Sequence, residues 1–134
     1  MNLIRGAFLL FITAACLLAQ GCSYLMSEEE KQARTEMEAA AKAALAEDWN
    51  LAIQHADKSI ALHPLPVAYL VRATARMGTQ RNVDPAQRNF DPAIADARSG
   101  LKLDPDNSDL IRLENQLSSM KRLLDLAKST PGLR

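Results

Sequence analysis

One stretch of this chain is written twice. Residues 49–64, WNLAIQHADKSIALHP, align without a gap on residues 90–105, FDPAIADARSGLKLDP, forty-one positions further on. Trp49 and Phe90 open the two copies, Ala52-Ile53 matches Ala93-Ile94, and Pro64 and Pro105 close them. Small and aliphatic residues recur within each copy at helical spacing, so both read as helices with one apolar stripe. A unit this short cannot bury its stripe alone and must stack on a neighbour. The duplication therefore points to an all-α chain built by stacking helical hairpins.

The flanking segments supply the other helices. Ser27-Glu28-Glu29-Glu30 reads as a capping box, with the Ser27 hydroxyl taking an orphan amide and Glu30 reaching back. The helix it opens runs to Ala46 without Gly or Pro, with Arg34–Glu38 and Glu38–Lys42 as charge pairs one turn apart. Glu47-Asp48 forms a turn in which Asp48 caps the first copy. Pro64 and Pro66 stop that helix. A third helix is expected from Val67 to Met77, with Gly78 as its terminator. Residues 79–89 are polar and read as a loop with at most one helical turn. The second copy starts near Phe90-Asp91-Pro92, with Asp91 as cap, and ends at Leu103. Asn107 or Ser108 then caps a closing helix through about Ala127, followed by a tail at residues 129–134.

The duplicated pattern resembles the second helix of the tetratricopeptide repeat, whose common form is an aromatic, two polar residues, Ala-Ile, Ala-Leu and a closing Asp-Pro. The likeness covers residues 33–127 and implies about two repeats plus a C-terminal closing helix. Ala52 and Ala93 would let the paired helices approach; Ile53, Ile60, Ile94 and Leu101 would fill the seam. The forty-one-residue spacing exceeds the family's period of about 34, and the excess falls in residues 79–89. In the first helices only Tyr69-Leu70-Val71-Arg72-Ala73 resembles the family's opening; Glu36 to Ala43 keeps small residues alone.

The N-terminus carries a second likeness. Arg5 precedes an apolar run from Gly6 to Leu18, too short to span a bilayer, which needs about 20 residues. This is the form of a secretory leader. Leu18-Ala19-Gln20-Gly21-Cys22 resembles the bacterial lipobox, in which a small residue precedes the cysteine that is acylated. Ile12-Thr13-Ala14-Ala15-Cys16 is similar in form but leaves few apolar residues after Arg5. The resemblance implies a lipoprotein signal peptide at 1–21, a lipidated Cys22 with a short tether through residue 27, and a helical domain at 28–128. Ser23 in place of aspartate implies sorting to the outer membrane, facing the periplasm.

Composition closes off other classes. Sixteen basic residues balance sixteen acidic ones, so no net field favours nucleic acid. Aromatics make up 4% of the chain, poor material for a β-sandwich. If Cys22 is acylated, as the lipobox resemblance implies, Cys16 leaves with the leader and no thiol remains for a disulfide, zinc or a nucleophile. His55, Asp57 and Ser59 invite a triad, but on one helix Asp57 points away from the other two. That stretch reads as a solvated face. His55 and His63 lack a third metal ligand. Residues 104–109 have the acid density of a calcium loop without its glycine or final glutamate. We expect no enzyme, no cofactor and no metal.

By the family resemblance, the working surface is the concave face of the first helices: Arg34, Met37, Ala41, Leu70, Thr74 and Met77, with Leu70 and Met77 partly in the core. Arg72 and Arg76 form the nearest basic pair, read either as solvated surface or as a hold for an acidic peptide. The expected function is a membrane-anchored adaptor that docks another envelope protein. The alternative is a structural lipoprotein that self-associates through its exposed repeat ends.

Overall fold

Ser27 starts the first helix as expected, its Oγ accepting from the Glu30 amide at 3.1 Å. Glu30 does not reach back. Its carboxylate takes Arg34 instead, at 3.1 Å. Arg34 thus pairs with Glu30 and not Glu38, because an acid N-terminal to its base by one turn is the better orientation. The structure, a computed structural model, describes residues 26–129. The expected leader, Cys22 and most of the tether lie outside the described residues, as do residues 130–134 of the tail.

The described chain is all-helical: α1 (Glu28–Leu45), α2 (Trp49–Leu62), α3 (Pro66–Thr79), α4 (Asp91–Leu103) and α5 (Ser108–Ser129), with a 3₁₀ turn at Pro85–Gln87. No helix among the described residues is long and apolar enough to cross a membrane.

Between α1 and α2 the backbone reverses in three residues. Glu47 adopts φ 58°, the left-handed conformation. The Glu47 amide donates to the Ala44 carbonyl and the Asp48 amide to the Ala43 carbonyl, the paired bonds of a Schellman stop. Asp48 then caps α2, accepting from the Leu51 amide at 3.2 Å. Pro64 does lie just past α2, but Pro66 opens α3 from its first turn, where a missing N–H costs nothing. Nor does Gly78 terminate α3. It is buried inside the helix, where a Cβ would sit 2.6 Å from Trp49 Cε2; glycine is needed for the close approach of the indole. Asp91 is the first residue of α4 and caps nothing; Asn89 Oδ1 accepts from its amide at 3.0 Å. Asn107 caps α5 through the Leu110 amide at 3.2 Å.

Each helix packs on its chain neighbour. In addition α1 touches α3 and α3 touches α5, while among the described residues α2 and α4 do not meet and α1 reaches neither α4 nor α5. The core is divided accordingly. Its largest cluster joins Ala73, Phe90, Ala93, Ile94, Leu113 and Leu117 across α3, α4 and α5, with Leu70 and Met77 packed on it. Two smaller clusters tie α3 to the first hairpin: Ala33, Leu65 and Ala68, and Ala43, Ala52 and Ala75.

The duplicated segments fold alike. Ala52 and Ala93 are both buried, as are Ala56 and Ala97, and Ser59 and Gly100. Ile94 is buried, whereas Ile53, Ile60 and Leu101 are only half-buried seam residues. The long α3–α4 connection is tied down by Arg88, which donates to the carbonyls of Val83 (3.1 Å) and Arg81 (3.3 Å), and by Gln80, which accepts from the Asn89 amide at 3.0 Å.

Candidate functional site

Polar side chains link all five helices in sequence. On α2, His55 Nδ1 lies 2.6 Å from Glu36 of α1, and two residues on Asp57 accepts from Arg72 of α3 at 2.5 Å. On α4, Asp96 accepts from Arg72 at 3.1 and 2.6 Å, and two residues on Arg98 donates to Glu114 of α5 at 2.9 Å. His55 and Asp96 occupy the same place in the two copies, as do Asp57 and Arg98. The first of each pair reaches back to the preceding helix, and the second reaches forward to the next.

The joint at Asp96 is the buried one. Its side chain is 4% exposed and receives Arg72 and also Arg76, at 3.0 Å. Burial alone would lower the Arg72 pKa, but the hydrogen bonds to Asp96 and Asp57 outweigh it and raise the guanidinium above its ordinary value. The His55–Glu36 joint is more open. There the hydrogen bond from His55 holds the Glu36 carboxyl below its ordinary 4.5.

This arrangement redistributes the expected surface residues. Arg72 and Arg76 are half-buried, and both pair with Asp96 rather than standing as an unpaired basic pair. The His55–Ser59 face, expected to be solvated, points inward: Ser59 is fully buried and donates to the Ala33 carbonyl at 2.7 Å. Leu70 and Met77 pack on the main cluster and Met37 on the first hairpin's cluster. Thr74 turns its hydroxyl back to the Leu70 carbonyl at 2.9 Å. Of the expected set only Arg34 is exposed, with Ala41 half-buried. The structure does not bring these residues together into one open face.

The open clefts lie elsewhere, along α5. One of about 270 Å³ runs between α4 and α5, lined by Ile94, Arg98, Ser118 and Arg122. Another of about 280 Å³ lies between the α3–α4 connection and α5, lined by Arg88, Phe90, Leu124 and Lys128. The two adjoin, because Asp91, Lys121 and Asp125 line both. Lys121 is held by Asp91 at 2.9 Å and sits 3.9 Å from Asp125. The Asp91 hydrogen bond raises the Lys121 pKa above its ordinary value. Nothing in the sequence pattern marked these residues, because their cations come from three separate segments that only folding brings together.

Among the described residues no group of three or more His, Cys, Asp or Glu is placed to hold a metal ion. No family model matches the chain, and no curated protein matches it at a significant level.

Proposed function

We propose that this protein is a lipid-anchored, tetratricopeptide-like adaptor of the bacterial envelope, facing the periplasm from the outer membrane and binding another envelope protein. The observation that carries the reading is the central place of α3, which packs on all four other helices while α2 and α4 stay apart. Packing only between near neighbours is the mark of a repeat stack, whose surfaces serve extended or helical partners. The matched burial of the two copies supports the same reading. So does the lipobox-like segment ending at Cys22.

The self-associating alternative draws on the apolar side chains left exposed on α5, among them Ile111, Leu123 and Leu126.

Crosslinking in intact membranes followed by purification tests the adaptor reading: a distinct partner should be recovered, and recovery of the chain alone would count against it. Light scattering of the full chain in neutral detergent should give one copy per micelle. For the anchor, Cys22→Ala should abolish palmitate labelling while Cys16→Ala leaves it; labelling that persists in Cys22→Ala ends the lipoprotein assignment.

A further inference from the structure

The trough along α5 has a charge imbalance that the chain as a whole, with net charge +0, does not have. Its carboxylates are already engaged: Asp91 and Asp125 lie on Lys121, and Glu114 at the rim is spent on Arg98. Three cations remain without a carboxylate among the described residues. Among the described residues Arg88 donates to the backbone carbonyls of Val83 and Arg81, and neither Arg122 nor Lys128 has an ion pair. Leu124 lines the same cleft as Arg88 and Lys128, and Arg122 lines the adjoining one.

We propose that this trough docks an acidic segment of a partner polypeptide, with Arg122 and Lys128 as its main charged contacts. The proposal rests on the adaptor reading and supplies the partner's chemistry. Arg122 and Lys128 stand six positions apart on α5, a rise of about 9 Å with the two side chains about 120° apart around the axis, one in each of the adjoining clefts. A flat anionic lipid surface fits less well. Asp91 and Asp125 sit between the cations and would be pressed against it, whereas discrete carboxylates can meet the cations and pass the acids by.

The test uses the full chain in neutral detergent and a fluorescent twelve-residue peptide rich in Glu with interspersed Leu, followed by anisotropy. Binding should weaken with salt, and a Lys-rich peptide of equal length should not bind. The double variant Arg122→Glu/Lys128→Glu should lower affinity about tenfold or more, with Arg122→Gln/Lys128→Gln in between. A control reversal on α1, Lys31→Glu/Lys42→Glu, should leave affinity unchanged. Circular dichroism checks that each variant is folded. Absence of acidic-peptide binding, equal affinity in the double variant, or equal loss in the α1 control would each overturn the proposal. So would a double variant that loses only sedimentation with phosphatidylglycerol vesicles, which would assign the cations to lipid. If the double variant still crosslinks to its membrane partner with undiminished yield, this docking site is wrong and the adaptor reading survives. Recovery of no partner by the unaltered chain removes the adaptor reading itself.

Discussion

The two hairpins made from the duplicated segment use the same positions and different chemistry. In α1–α2 the helices meet through alanines, Ser59 bonds across to α1, and Trp49 is only half-buried against Gly78 and beneath Arg81, 5.1 Å from its ring centroid. In α3–α4 the matching aromatic, Phe90, is 4% exposed in the largest cluster, Gly100 replaces Ser59, and Asp96 holds two arginines where His55 holds one glutamate. The difference has a positional cause. The second hairpin has a helix on each side and must exclude water, whereas the first is covered on one side only. A repeat position decides where a side chain points; the number of neighbours decides how much that side chain contributes.

The largest expected gap is between the two aromatics. Phe90→Ala should cost about 3–5 kcal/mol in denaturant unfolding, as for other buried aromatics, and Trp49→Ala about 1–2 kcal/mol, as befits partial burial. Equal losses would break the comparison. The next gap concerns the two polar joints. Asp96→Ala should cost about 3 kcal/mol because it strands Arg72 and Arg76 without their shared carboxylate. His55→Ala at the matching position should lower the melting temperature visibly less, and a reversal of that order would show that burial does not set the scale.

A smaller effect is expected at Ser59. Ser59→Ala removes one buried hydrogen bond and should cost about 1 kcal/mol, with no such bond to lose at Gly100. The smallest effect is a matter of pH. The Glu36 carboxyl is depressed below 4.5 in the folded chain, so the stability it adds is present above that value and lost as pH falls through the folded-state pKa. Glu36→Gln should therefore melt lower than the unaltered chain at neutral pH. The two should converge below pH 4.5, and a constant difference down to pH 3 would show that the His55 bond is not its source.

Much of the fold was legible before any coordinates. The Ser27 and Asp48 caps, the ends of α1, α2 and α4, and the paired burial of the two copies follow from local hydrogen bonding and from periodicity, both of which act within a few residues. Errors came where a residue has two local meanings. Gly78 is a common helix stop and also a common point of close approach, and only the indole of Trp49 decides between them. Pro66 can end one helix or begin the next, and the position of Leu65 in the core settles which. The surface was read least well. Arg72 and Arg76 looked solvated because their partner Asp96 lies twenty or more residues ahead in the chain, and no local pattern announces a buried ion pair.

The sequence by itself determined that this chain would be helical, that one helix would occur twice, and where most helices would begin and end. Those outcomes depend on backbone capping and on the spacing of apolar residues along a single helix. Tertiary structure alone decided which cations are spent and which stay open. Coulomb attraction and burial act on distances through space, and these are set only once α3 is enclosed by the other helices.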